Sequence, residues 1–546
     1  MTQRNHTLTA LLLVFAGFYL MRLSSVEIQP WDEGLYAVRG ESMVLFDEWW
    51  DQTPHALGGL YSSTPPPVTS WGVAIGTSLF GRTAYGVRFM TIGWSVLALW
   101  LTYQIGRSML SYRGAIAAVV LLGTSLHWVE YSRQAMTEVP LMAFTLLGLW
   151  AALRTDHHRW WGVVAIAGAL LSKMTVGIIP VLFFLPVLRD RSVRWQAAGI
   201  IAAGIALAAP WYATMLIRYG NDVWLSMMIP HLTTPVEGNA GASGAVWQYL
   251  YYVHHLLRSN PFMVSAFVYV VVATVYRAAL PAQQHRGAGQ VVAWFVGLML
   301  VLSIAATKNP HYVVMLLPAA ALVSVYGYER LLATTVRGRR MVVLFAALVI
   351  AVLVSIDGIR QLVRQYPLEA VAVVGLVAAV MIVTLVAPDG IRRRMMAYGY
   401  QSVLVVVLAV GVLRAMAFVV LGADHHVRGG RSTATTMLEQ SQDGSSFTYL
   451  FHRYNAGDAM NPQLAWYLGG WMCGWVPSYT YTSVALPASS VDPAVVLQAL
   501  AAQQSWIVYY HPQAIAEDQQ AIVDQILGAL YRVELKQGQY TLYRRM

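Results

Sequence analysis

Apolar runs long enough to cross a bilayer recur along this chain, and no soluble fold accommodates so many. A helix rises about 1.5 Å per residue, so about twenty apolar residues bridge the hydrocarbon core. Windows approaching that length fall near 8–25, 86–106, 114–127, 137–153, 162–172, 175–188 and 196–217, then near 261–277, 290–306, 312–328, 341–356, 368–387 and 400–421. The composition agrees: 57% of residues are hydrophobic, 11% are charged and the mean hydropathy is +0.52. The expected fold is mainly α, a polytopic membrane protein with a bundle of about 11–13 transmembrane helices. The run from Leu8 to Met21 lacks a small-residue cleavage site and leads straight into an acidic loop, so it reads as a retained first span.

Arginine sets the expected orientation. With the N-terminus in the cytoplasm, the alternate loops carry Arg107 and Arg113, Arg154 and Arg159, Arg189, Arg191 and Arg194, then Arg330, Arg337, Arg339 and Arg340. That is the positive-inside pattern, and it accounts for much of the net charge of +10 without invoking nucleic acid. The external set then contains a loop at 26–85, the 218–260 loop and the turn around Lys308. No internal repeat is evident, which argues against the inverted-repeat plan of secondary transporters. The single cysteine, Cys473, excludes an intrachain disulfide and a cysteine metal site.

After residue 421 the composition changes. Short aromatic and β-branched runs at Ser446–His452 and Ser505–Tyr510 read as strands. Pro493–Gln503 and Ala514–Leu530 read as helices, and Tyr531–Arg545 as a hairpin around Gly538. The expected organisation is a membrane domain over 1–421 and a small soluble α/β domain over 422–546. No glycine-rich nucleotide motif is present.

A few charged residues stand out against this apolar background. Asp32 and Glu33 are adjacent carboxylates just past the first span. Only three of the 36 basic residues are lysines, and two of these, Lys173 and Lys308, lie between apolar runs on the external side. An ammonium there must snorkel, pair or serve a function, and a lipid-linked phosphate is one partner it could serve. Glu138 opens a span, where the helix dipole alone would explain it; a second active-site acid is the alternative. Arg133 is placed to pair with Glu138 or with a phosphate. His55, His231 and His311 fall in external loops, and His231 with Glu237 leaves a divalent metal open without tight ligand spacing.

Taken in order, these motifs resemble the GT-C glycosyltransferases of the protein O-mannosyltransferase and aminoarabinose transferase type. Asp32-Glu33 with Tyr36 resembles the family's Asp-Glu motif. Pro54-His55 followed by Tyr61 and a proline cluster resembles the rest of its first external loop. Arg88, Thr137-Glu138-x-Pro140, Leu171-Ser172-Lys173 and Lys308-x-Pro310-His311-Tyr312 resemble later elements, so the likeness covers about residues 25–330. Ser63-Thr64-Pro65 stands where the family often has Glu-Lys-Pro.

The resemblance implies a GT-C bundle with an external active site, in a cell membrane of bacterial or archaeal type. It implies transfer of a sugar from a polyprenyl-phosphate donor to a lipid, glycan or protein acceptor, with inversion and no nucleotide cofactor. Asp32 would be the general base. Glu33 and Glu138 would orient the acceptor or the cations. Lys308, Lys173, Arg133 and Arg88, with His311 and Tyr312, would hold the donor phosphate. Tyr36, His55 and Tyr61 would line the acceptor or loop side, and His231 is the candidate metal ligand. A transporter or flippase for an anionic lipid-linked glycan is the alternative, and it predicts charges along a path from both membrane faces. A binding protein acting through its C-terminal region is a third.

Overall fold

The computed structural model describes residues 2–59, 66–222, 245–333 and 408–546, apart from short breaks at 175, 264, 267–268, 271–272, 274–285, 306–307, 423–426, 442–443, 454–459, 488–489 and 512–516. Expected spans at 341–356 and 368–387 lie outside the described residues.

The helical part begins with α1 (Thr2–Leu20), α2 (Asp32–Phe46), α3 (Val68–Phe80) and α4 (Ala84–Gly106). The chain continues through α5 (Tyr112–Gly123), α6 (Leu126–Ser132), α7 (Glu138–Leu153), α8 (Trp161–Leu170), α9 (Ile179–Leu188) and α10 (Arg194–Tyr219). α11 (Ala245–Ser259), α12 (Arg286–Ile304) and α13 (Leu317–Ala333) complete this part. Among the described residues, four helices are long and apolar enough to cross a membrane, including those at Ala84–Gly106 and Arg194–Tyr219. α5 and α6 form a further candidate span bent by 65°. Leu, Ala and Val from α4, α5, α7 and α13 make one continuous core.

The expected 26–85 loop is largely helical. α3 is apolar but has only 13 residues, bounded by Pro67 and by Gly81 at φ 68°. It is too short to register as a span, which is why its sequence reads as loop. α3 lies so close to α4 that a Cβ at Gly76 would collide with the Gly86 carbonyl oxygen.

The C-terminal part is a five-stranded sheet of order β2-β1-β3-β5-β4, formed by β1 (Ser446–His452), β2 (Thr480–Leu486), β3 (Trp506–Tyr510), β4 (Tyr531–Gln537) and β5 (Tyr540–Arg545). β1 pairs in parallel with β2 and β3, and the β4–β5 hairpin adds antiparallel through β5. The expected strands and hairpin therefore appear with shifts of a residue or so. β2 and the helix Gly430–Gln440 have no counterpart in the sequence reading. β2 is mostly half-exposed or exposed and includes Thr480, Thr482 and Ser483, so it lacks the apolar run by which the other strands are read.

This sheet is packed onto the loop region. One face shares a core with Tyr36, Ala37 and Val38 of α2, through Phe447, Tyr449 and Trp466. The Glu27 carboxylate accepts from the backbone amides of Gly429 (3.1 Å) and Arg431 (3.0 Å), at the N-terminal end of helix Gly430–Gln440, where the macrodipole favours an anion. The Ile28 amide donates to Tyr467 Oη at 2.8 Å. A Cβ on Gly34 would stand 2.7 Å from Pro462 Cβ and 2.8 Å from its carbonyl carbon. Gly34→Val should therefore push α2 off the C-terminal part and destabilise the protein by about 1–3 kcal/mol. Thermal unfolding in detergent checks this; an unchanged midpoint would mean that the contact can relax.

Candidate functional site

The acidic pair at the start of α2 divides into two unlike carboxylates. Trp31 precedes the helix at φ 67°, ψ −124°, an unfavourable backbone state for a residue with a side chain. The turn leaves Asp32 half-buried and drives Glu33 into the interior, 1% exposed.

Glu33 is fully engaged. Its Oε1 accepts from Arg88 Nε at 2.6 Å and from the Ala135 amide at 3.1 Å. Its Oε2 accepts from an Arg88 terminal nitrogen and from the Gln29 amide, both at 2.8 Å. Arg88 also donates to the carbonyls of Leu23 (2.9 Å), Val26 (3.0 Å) and Glu27 (2.9 Å). This bidentate, buried pair joins α2, α4, the linker after α1 and the segment before α7. Asp32 makes no hydrogen bond or ion pair among the described residues.

Asp32 faces a compact polar cluster. Glu138 opens α7 and receives Lys173 Nζ at 2.6 Å, with His311 Nε2 at 3.7 Å and Thr137 Oγ1 at 3.2 Å. Lys173 Nζ also stands 4.5 Å from the centre of the Tyr312 ring. Tyr36, one turn beyond Asp32, lies within electrostatic reach of Asp32, Glu138 and Lys173. Burial opposes the charge on Lys173, but Glu138 and Tyr312 outweigh it and hold the ammonium above the ordinary lysine range. Burial likewise holds His311 below its ordinary range, against the pull of Glu138 and Asp32. Asp32, Tyr36, Glu138, Lys173, His311 and Tyr312 thus come together from segments more than 250 residues apart.

Other residues of the sequence reading stand elsewhere. Lys308 Nζ donates to the carbonyls of Leu302 and Ser303, both at 2.7 Å, and so satisfies the C-terminal end of α12. Arg133 does the same for α1, donating to Tyr19 (2.9 Å) and Met21 (2.7 Å). His55 is stacked on Phe46, ring centres 3.7 Å apart, at the far end of α2 from Asp32. α2 has 15 residues, so that end lies about 20 Å away. Tyr61 and His231 lie outside the described residues. Two charged residues that the sequence reading passed over belong to the site helix: Glu41, which pairs with Arg82 Nε at 2.8 Å, and Arg39, seven positions after Asp32.

A family model described as dolichyl-phosphate-mannose-protein mannosyltransferase matches residues 64–217. An undecaprenyl phosphate-α-4-amino-4-deoxy-L-arabinose arabinosyl transferase of Pseudomonas aeruginosa is 28% identical over 236 residues, 40% of this chain and 42% of that protein. One from Pseudomonas fluorescens is 26% identical over 343 residues, 59% of this chain and 56% of its own. The matched region therefore spans about half the length of these relatives. The solved structure of ArnT from Cupriavidus metallidurans bound to undecaprenyl phosphate aligns over 100% of this chain and 98% of its own, with a TM-score of 0.62 at 17% identity. The archaeal oligosaccharyltransferase AglB from Archaeoglobus fulgidus aligns over 93% of this chain and 69% of its own, with a TM-score of 0.52 at 10% identity. The chain thus shares the fold of the ArnT structure, and residues 64–217 carry the likeness to the mannosyltransferase family.

Among the described residues no group of three or more His, Cys, Asp and Glu side chains is placed to hold a metal ion. The Glu33–Arg88 pair supports the Asp32 cluster from behind. Breaking it from one side leaves the other charge buried and unpaired, at a cost of about 3–5 kcal/mol. Glu33→Gln and Arg88→Ala should each lower the unfolding temperature sharply, and Glu33→Leu with Arg88→Met should recover part of the loss. If both single variants unfold like the parent protein, the pair does not hold the site together.

Proposed function

We propose that the protein transfers a sugar from a polyprenyl-phosphate donor to an acceptor hydroxyl at the extracytoplasmic membrane face, with inversion at the anomeric carbon. The observation that carries this reading is the contrast within the acidic pair. Glu33 is consumed by structure, whereas Asp32 offers a carboxylate without a partner among the described residues, at the mouth of a cluster holding a lysine. The likeness to undecaprenyl phosphate-α-4-amino-4-deoxy-L-arabinose arabinosyl transferases supports it.

In this reading the acceptor oxygen attacks the anomeric carbon while Asp32 takes its proton. The carbon–oxygen bond to phosphate breaks, and the polyprenyl phosphate leaves with one more negative charge. The donor arrives already activated, so no nucleotide is consumed. Glu138 keeps Lys173 charged and oriented, and Lys173 supplies positive potential where that charge develops. Tyr36 and Tyr312 flank the same space. A neutral His311 is suited to donate or accept a hydrogen bond to a sugar hydroxyl. The arginine content of the alternate loops supports the extracytoplasmic assignment through the positive-inside pattern. The acceptor class is a hydroxyl-bearing lipid, glycan or protein.

Purified protein with synthetic polyprenyl-phosphate sugars tests this. Asp32→Asn should lower kcat by at least a hundredfold while binding of the donor lipid stays within threefold of the parent protein. Near-normal turnover in that variant would remove Asp32 as the base. Lys173→Ala should reduce kcat/KM by roughly ten- to a hundredfold, whereas Lys308→Ala should act mainly on stability.

A further inference from the structure

Arg39 is the charged group on α2 that neither the architecture nor the reaction above explains. Asp32, Tyr36 and Arg39 are four and seven positions apart, so they share one face of α2. Arg39 is 1% exposed, and neither its Nε nor one of its terminal nitrogens has a hydrogen-bond partner. Its guanidinium carbon lies 5.1 Å from the centre of the Tyr36 ring. Long side chains on a helix run back toward its N-terminus, so the guanidinium stands between Arg39 and Asp32.

A buried guanidinium cannot escape its situation by shedding a proton. Burial weakens its hold on the charge, against the pull of Tyr36 and Asp32 and a side-chain hydrogen bond with Tyr36. The Glu33–Arg88 pair shows how this fold treats a structural arginine, giving it a bidentate carboxylate and three carbonyls. Arg39 has no comparable set. Thr69, at the start of α3, likewise leaves its hydroxyl buried and without a partner. It lies one turn before Val73, which packs against Gly40, the neighbour of Arg39. Buried donors without acceptors mark a place where something else completes the bonding.

We infer that Arg39 is a binding residue for an oxyanion, the phosphodiester of the lipid-linked donor, which it grips through its two unpartnered N–H-bearing nitrogens. The inference rests on the transferase reading above. The planar fork of arginine matches two phosphate oxygens and strengthens as the leaving phosphate gains charge. The position along α2 also suits the reaction. Seven residues are about 10 Å along the axis, and the side chain folds back over most of that length. The base and the cation for the leaving group would then lie along the same face of α2, beside Tyr36. A carboxylate on the sugar or acceptor carries similar chemistry, so the probe must present phosphate alone.

Undecaprenyl phosphate without a sugar is such a probe, used with the full-length protein in lipid nanodiscs. Arg39→Met should weaken its binding at least tenfold, with Arg39→Lys between Met and the parent. The ligand-free Arg39→Met protein should unfold at the same temperature as the parent or higher, since a buried unpaired charge has been removed. A less stable or unfolded Arg39→Met protein would make Arg39 a structural residue and overturn the inference. Unchanged affinity for undecaprenyl phosphate in Arg39→Met also overturns it; if sugar transfer is then still impaired, the anion belongs to the sugar or the acceptor. A parent protein that neither binds undecaprenyl phosphate nor transfers sugar would sink the transferase reading itself. Parent-level binding in Arg39→Met beside an active parent would sink only the assignment of Arg39.

Discussion

The buried pair of Glu33 and Arg88 is the constraint on which the rest of the site depends. Two charges removed from water are tolerated only when their hydrogen-bonding capacity is filled, and here it is filled from four directions. Arg88 belongs to an apolar helix of the bundle core, and Glu33 to the first turn of α2. Their contact fixes the rotation of α2 about its own axis. Because Asp32 is the next residue, that rotation decides which way the free carboxylate faces.

Further restraints fix α2 along its length. Gly34 admits the backbone at Pro462 to a distance at which no side chain fits. Asp51, just past α2, is held by Arg218 and Tyr219 of α10, both at 2.7 Å. The C-terminal sheet adds aromatic packing against Tyr36 and its neighbours. The helix is thereby braced between the membrane bundle and the sheet, a rigid mount of the kind that positioned acid–base chemistry needs. The sheet region is a buttress of the site, since its core and that of α2 are continuous.

Charge is distributed by the same logic. Cations that looked alike in the sequence carry out three different tasks. Arg88 binds a carboxylate inside the scaffold. Lys308 and Arg133 satisfy carbonyls at helix ends, where the macrodipole favours positive charge. Lys173 pairs with Glu138 inside the cluster that Asp32 faces. The difference lies in which acceptors surround each one, and those acceptors come from backbone geometry that residue identity does not reveal.

The sequence by itself determined the class of fold. Apolar runs such as Ala84–Gly106 can be satisfied only by helices in lipid, because no water is there to pair with the backbone. Aromatic and β-branched runs such as Ser446–His452 likewise announced strands, and Asp32, Glu138, Lys173 and His311 were legible as exceptions in an apolar chain. The tertiary structure decided the rest. It separated Asp32 from Glu33, moved Lys308 and Arg133 to helix ends, turned the expected 26–85 loop into helices and brought out Arg39. The physical reason is that the cost of a buried charge depends on its partners, and these partners arrive from distant segments that local pattern cannot pair.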